Sequence, residues 1–298
     1  MTAKTRRLRE LLQSGEFLYM PSAATPLEGR LAEAAGCRVV YTGGYVSGAS
    51  RVITEPLLTM DEQVRIAGEV ARAVAAPLVA DAGAGFGEPL HTMRTVREFA
   101  AAGIAGVHIE DQLYLKRAHY HSYQVHAIPR EEFVAKIKYA CLQRQETDPD
   151  FVVIARSDTC REFGLDEAIG RVNAAAAVGA DLGLVFPRSR EEAAAAPGMA
   201  VVPLIWVQSR GNRDGRPILS LGELKAMGYC GCIDAQILLG TAFHFMKQAM
   251  AEIVASGSYS GISDADFTRL RKEIEDLIGL DAYYRIEAET VEPASRPG

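Results

Sequence analysis

Eight short apolar runs, each ending in small or polar residues and most followed by a helical stretch, set the narrowest limit on what this chain can become. They read FLYMPSA (17–23), RVVYTGG (38–44), PLVADAG (77–83), GVHIED (106–111), FVVIARSD (151–158), LGLVFP (182–187), VVPLIWV (201–207) and GCIDA (231–235). Runs that stay apolar instead of alternating suit strands buried on both faces. Between them lie PLEGRLAEAAG, MDEQVRIAGEVARAVA, PLHTMRTVREFAAAG and LDEAIGRVNAAAAVGA, stretches of helical character. Several finish in Ala-Gly, a helix-stop signal. Strand–helix units repeated eight times predict an α/β chain closed into a (β/α)8 TIM-type barrel. An open doubly wound sheet is the competing arrangement, but no GxGxxG follows the first run.

No low-complexity linker divides the 298 residues. A single catalytic barrel domain is therefore expected over 1–298, with the barrel at about 10–260 and a C-terminal helical extension over 261–290. The extension carries Phe267, Leu270, Ile274 and Leu277 on one helical face, which needs the barrel or a second subunit to pack against. The tail VEPASRPG reads as disordered.

A net charge of −6 argues against nucleic acid or an anionic membrane as partner. Five scattered cysteines without zinc-type spacing read as reduced thiols. The start of the chain has basic residues but no long apolar segment, and Leu8, Leu11 and Leu12 have helical spacing. No apolar run approaches a membrane span, so the expected location is cytoplasmic.

Barrels gather their chemistry at the C-terminal ends of the strands, and polar residues cluster at those positions here. Tyr41-Thr42-Gly43-Gly44 closes the second run; its turn offers backbone N–H groups to a carboxylate or phosphate, or is an ordinary βα turn. Asp81 can hold a hard cation such as Mg²⁺ (or Mn²⁺) or brace a loop, and Glu110 can reach the same cation through water. Asp111 is placed to partner a basic residue. Arg156 can clamp a carboxylate and stabilise an enolate, or pair with Asp158 or Glu110. His119, His121 and His126 lie close enough in sequence for a transition-metal site, although solvated loop histidines are commoner. Lys116 and Arg117 are a solvated pair or a substrate-capturing one, while His108 and His244 read as satisfied buried residues.

The set YTGG, LTMDEQ, DAGAGFG, GVHIEDQ…KR, DPDFVVIARSD and LVFP, in this order, resembles the isocitrate lyase/phosphoenolpyruvate mutase superfamily, and most closely its small single-barrel members, over roughly residues 10–285. The resemblance implies Mg²⁺ and a small carboxylate substrate handled as an enolate or oxyanion, with a carbon–carbon or phosphorus–carbon bond made or broken. It implies that Thr42, Gly43 and Gly44 cradle the carboxylate, that Asp61, Asp81 and Glu110 surround the metal, and that Arg156 stabilises the enolate. The loop 113–126 would close over substrate, and a C-terminal helix would be exchanged within a dimer or tetramer.

Three departures from the family pattern stand out. Gly83 replaces a second metal acid, Ala118 replaces the gate cysteine that protonates the product carbanion, and Arg188 replaces an acid. Two acids fewer and one base more favour a more anionic substrate and weaker metal binding. The expected activity is a carbon–carbon lyase on a small 2-hydroxy or 2-oxo di- or tricarboxylate. Substrate would be bound by the Thr42 turn, Arg156 and Arg188, with His119, His121, Glu110 and Lys116 as acid–base groups. A phosphonomutase, an oxaloacetate-like decarboxylase or hydrolase, and a degenerate carboxylate-binding barrel remain alternatives.

Overall fold

The structure, a computed structural model, describes residues 2–292. The first elements are α1 (Ala3–Gln13), β1 (Leu18–Pro21), α2 (Pro26–Ala34), β2 (Val40–Thr42), α3 (Gly44–Ala49), α4 (Met60–Ala73), β3 (Leu78–Asp81), α5 (Pro89–Ala101) and β4 (Gly106–Glu110). There follow α6 (Arg130–Thr147), β5 (Val152–Ser157), α7 (Cys160–Ala176), β6 (Leu182–Val185), α8 (Arg190–Met199), β7 (Leu204–Gln208), α9 (Leu221–Met227) and β8 (Gly231–Asp234). The chain continues through α10 (Ile237–Ser256), α11 (Asp264–Ile278) and α12 (Leu280–Thr290).

Each apolar run singled out in the sequence matches one of these strands, with β7 running one residue past its run to Gln208. All ladders are parallel, in the order β1-β8-β7-β6-β5-β4-β3-β2. An isolated bridge between Ser22 and Tyr41, with Ala23 N–H donating to Tyr41 O at 2.8 Å, closes the remaining seam. This is a (β/α)8 barrel.

Side chains alternate across each strand, and the two faces build different cores. Leu18, Met20, Val79, Ile154, Leu184, Ile205 and Ile233 fill the interior, with Leu8 and Leu11 of α1 packed among them. The N-terminal leucine spacing thus marks a helix that belongs to this core. The outer faces meet the helices through Phe99, Phe133 and Ile137 on one side and Trp206, Leu224 and Tyr229 on the other. Helix starts are fixed locally: Thr25–Glu28, Thr59–Glu62 and Ser220–Glu223 form reciprocal capping boxes.

The chain divides into compact units at Gly240/Thr241. No residue of α10 is buried, and His244, expected in the core, is exposed with its ring edge-on to Phe245. The C-terminal extension is two helices because Gly279, at φ +74°, caps α11 and starts α12. In the second unit Phe267 and Ile274 are exposed. The disorder expected for the tail concerns mainly 293–298, outside the described residues. Among the described residues no helix is long and apolar enough to cross a membrane.

Candidate active site

Strand register assembles the site. Asp81 sits beside His108, Glu110 beside Arg156, and Arg156 beside Leu184. Since inward positions recur every second residue, the face that carries Val79 and Ile154 in the core ends in Asp81 and Arg156 at the mouth.

Arg156 is the hub. Its Nε and Nη2 reach the two Asp158 oxygens at 2.9 and 3.1 Å, a fork-to-fork pair. Nη2 also lies 3.2 Å from Glu110 Oε2 and donates to the Tyr120 hydroxyl at 2.7 Å, and Nη1 is 3.8 Å from Asp81 Oδ2. Both pairings foreseen for this arginine, with Asp158 and Glu110, occur together. Asp111 turns the other way, accepting from Ser157 Oγ at 2.6 Å and Asp158 N–H at 3.0 Å, with Arg171 Nη1 3.4 Å away. It braces β4 against β5, and its partner is basic as expected.

The second-run turn is engaged with the protein itself. Gly44 N–H donates to Asp81 Oδ2 at 3.1 Å, Gly43 N–H to Ser22 Oγ at 3.3 Å, and Thr42 Oγ1 to Ala23 O at 2.9 Å. The Gly44 N–H thus helps to fix the acid at the end of β3. A Cβ on Gly44 would stand 2.7 Å from Glu55 Cγ, so glycine is what lets this acid approach. Tyr41 lies beneath the site, its hydroxyl 2.7 Å from His108 Nε2. The other ring nitrogen of His108 has no hydrogen bond, so this buried histidine is satisfied on one side only.

Lys116 carries the positive charge on the metal side. Its Nζ pairs with Glu55, lies 3.0 Å from Glu110 Oε1, and sits 3.9 Å above the Tyr120 ring. Burial opposes the charge on Asp81, but His108, Arg156, Lys116 and the Gly83 N–H outweigh it and hold that carboxyl well below its usual range. Burial dominates at Glu110 and pushes its carboxyl up to about 8 against Lys116 and Arg156. Burial likewise lowers His108 to about 4 and keeps the ring neutral at pH 7.

An acid whose folded-state pKa is raised stabilises the fold at low pH and loses that contribution as pH climbs to the folded value. In metal-free buffer, Glu110→Gln is therefore expected to gain stability relative to wild type between pH 5 and 8, by about 1 kcal/mol per pH unit. Urea midpoints at the two pH values measure it. An unchanged difference would mean that Glu110 is already ionised at pH 5.

A cleft of about 410 Å³ lies between Asp81, Gly44, Glu55, Gln63, Gly83 and Lys116. Among the described residues no three His, Cys, Asp or Glu side chains form a ready-made metal cage. The donor set still fits a hard cation of the Mg²⁺ kind, which needs only one or two carboxylates and keeps several waters. Asp81 is ionised and borders the cleft, and a Cβ at Gly83 would meet nothing within 4 Å, so the space beside it is open.

The gate is anchored where Leu113 N–H donates to His126 O at 2.7 Å, next to a Gln112–Ala127 bridge. Its tip, Ala118–Ser122, is a 3-10 turn rather than an extended strand. With about three residues per turn, neighbouring side chains fan out in three directions. Tyr120 points to Arg156, His121 Nε2 lies 2.9 Å from Thr54 Oγ1, and His119 is exposed. His126 is exposed as well, so the loop histidines do not share a site.

Comparison with known proteins gives the family. The phosphoenolpyruvate phosphomutase family matches residues 8–254. The chain belongs to the phosphoenolpyruvate mutase/isocitrate lyase superfamily. It is 32% identical to 2,3-dimethylmalate lyase of Eubacterium barkeri over 94% of this chain and 96% of that one. Oxaloacetate acetylhydrolase in complex with 3,3-difluorooxalacetate superposes with a TM-score of 0.89 at 29% identity, covering 98% and 99% of the two chains. Phosphonopyruvate hydrolase in complex with oxalate and Mg²⁺ gives 0.83 at 26%, covering 97% and 100%.

Within this superfamily fold, Asp81, Glu110, Lys116 and Arg156 come together as expected, with Gly44 beside them. Asp61 does not. It lies in the first turn of α4 with its side chain 79% exposed, 3.7 Å from Arg94, because the Thr59 cap turns that helix start to the surface. Glu55 stands in the cleft in its place; the only sequence signal for it was a lone acid in the apolar stretch VITEPLL. Arg188 is held by Asp214, donating from Nη1 to the carboxylate and from Nη2 to the backbone oxygen at 2.6 Å. Tyr120, outside the site set expected from the sequence, joins Arg156 here.

Proposed function

We propose that the protein is a Mg²⁺-dependent carbon–carbon lyase acting on a small 2-hydroxy or 2-oxo di- or tricarboxylate. The observation that carries this reading is the Arg156 hub. A buried guanidinium, ringed by Asp81, Glu110 and Asp158 and capped by the Tyr120 hydroxyl, suits a carboxylate or enolate that gains charge during bond cleavage.

Asp81 would hold the cation directly, with Glu110 and Glu55 behind water or behind Lys116. When bound, the cation would polarise the oxygen beside the breaking bond. Glu110, held near neutrality, is suited to exchange a proton with the substrate hydroxyl. Tyr120 is placed to return a proton to the carbanion-like carbon, the task for which Ala118 has no group. The 113–126 gate would exclude water from the enolate.

Retro-Claisen hydrolysis of an oxaloacetate-like acid is the second reading, favoured by Ala118 at the thiol position and by the close superposition with oxaloacetate acetylhydrolase. A substrate panel separates the classes: pyruvate or glyoxylate release marks a lyase, oxalate plus a second acid a hydrolase, and a new phosphorus-31 resonance a phosphonate rearrangement. Failure of every acid in the panel to turn over would leave a carboxylate-binding barrel.

The protein is further proposed to work in the cytoplasm, in line with its five unpaired cysteines, and as a dimer or tetramer that exchanges C-terminal helices. Exposed Phe243, Phe245, Met246 and Met250 in the second unit supply an apolar face for such contact.

Gly83→Asp is expected to tighten Mg²⁺ binding about tenfold by adding a second carboxylate ligand. The site has φ +50°, a left-handed conformation that Asp tolerates better than most residues. Calorimetric titration with Mg²⁺ checks this, with Asp81→Asn expected to lose the heat. Equal affinity in all three proteins would place the cation elsewhere.

A further inference from the structure

Residues from the start of α7, the β6–α8 loop and the β7–α9 loop build a second positive centre. Arg188, Arg161 and Arg216 all converge on one carboxylate, Asp214, with Arg161 Nη1 3.7 Å and Arg216 Nε 3.6 Å from Oδ2. Three guanidinium groups against one acid leave an excess of positive charge.

Arg216 is the unusual member. Its side chain is only 8% exposed, yet its guanidinium makes no hydrogen bond among the described residues. A guanidinium has five N–H donors, and here the protein satisfies none of them, leaving them to water or a ligand. None of its nitrogens is among the fully buried unpartnered atoms, so each retains some access to solvent. Its Cζ stands 4.8 Å from the centre of the Phe186 ring, and Arg156 Cζ stands 5.1 Å from the same ring. The two arginines are therefore stations along one mouth, and Tyr120 and Asp158 are near enough to act electrostatically on both.

We propose that Arg216, backed by Arg188 and Arg161, is a distal anion subsite that takes a second carboxylate of the substrate while Arg156 holds the reacting end. This rests on the reading of Arg156 as the carboxylate clamp and narrows the substrate class to acids with a carboxylate beyond the reacting fragment. A phosphonate would offer the same charge, so the probes below carry one or the other at the distal end.

Three probes separate the stations by calorimetry: oxalate, short enough for the Arg156 end alone; tricarballylate, which also reaches the distal end; and 3-phosphonopropionate, which offers a phosphonate there. Arg216→Met, which keeps an apolar stem against Phe186, is expected to weaken tricarballylate about 10²-fold and leave oxalate within about twofold. Arg216→Lys should restore part of the loss, and Asp214→Asn, which removes the competing acid, should tighten tricarballylate several-fold.

Equal effects of Arg216→Met on oxalate and tricarballylate, or none on either, would overturn the subsite. Tighter binding of the phosphonate than of tricarballylate would overturn the carboxylate assignment. Loss of oxalate binding in Arg156→Lys with tricarballylate still sensitive to Arg216 supports both stations. A wild type that binds tricarballylate through Arg216 but not oxalate would refute the Arg156 reading and leave the distal subsite standing.

Discussion

Replacing Arg156 with Ala is expected to lower kcat/KM by about 10³-fold on the true substrate, the upper scale for losing one donor to a developing oxyanion. The structure puts more than one donor at stake, because Nε, Nη1 and Nη2 all face acids or the Tyr120 hydroxyl. The same change strands the buried Asp158 without its cation and leaves Glu110 with Lys116 alone. Breaking such a pair costs about 3–5 kcal/mol, so the variant must be assayed where it is shown to be folded. Arg156→Lys separates the two effects. It keeps the charge and should keep most of the stability, but an ammonium cannot reproduce the planar fork and should regain little turnover. Wild-type kcat/KM in Arg156→Lys would mean that the guanidinium merely neutralises its acids.

Tyr120→Phe is expected to lower kcat by about 10²–10⁴-fold with a smaller change in KM, the usual scale for losing a general acid. The hydroxyl accepts a hydrogen bond from Arg156, which leaves its own proton free to be donated. Burial raises this phenol well above its ordinary value, although Arg156 opposes the shift. It therefore keeps its proton at neutral pH and yields it only to a strong base such as an enolate carbon. His119→Ala should stay near wild type, since that side chain is exposed. His121→Ala should be mild, because it removes only the contact to Thr54 and the edge-on packing against Tyr45. If the reaction needs carbanion protonation, Ala118→Cys should partly rescue Tyr120→Phe. Normal kcat in Tyr120→Phe beside a hundredfold loss in either histidine variant would return the proton to the imidazoles.

The sequence by itself determined the barrel, because its evidence is local and repeated. Each strand announces itself through a run such as FVVIARS whose residues are all buried, and each of several helices through a Thr or Ser followed three residues later by Glu. It also determined Asp81, Glu110 and Arg156, since a polar residue that ends an apolar strand has only the barrel mouth to face. What it could not decide was the aim of side chains carried by loops. Asp61 and Glu55 lie six residues apart, yet the cap at Thr59 sends one to solvent while the close approach allowed by Gly44 admits the other to the cleft. On the gate, a 3-10 turn brings Tyr120 to Arg156 and leaves His119 in solvent, a sorting that neighbours in sequence do not reveal. Near β6 and β7, Arg188 was visible as a base in place of an acid, but only the position of Asp214, 26 residues further on, shows that Arg188 is hydrogen-bonded while Arg216 meets the same carboxylate at 3.6 Å. Short-range periodicity and capping fix elements, whereas the partner of a long charged side chain is chosen by whichever opposite charge the fold brings within reach, and that choice is made only in three dimensions.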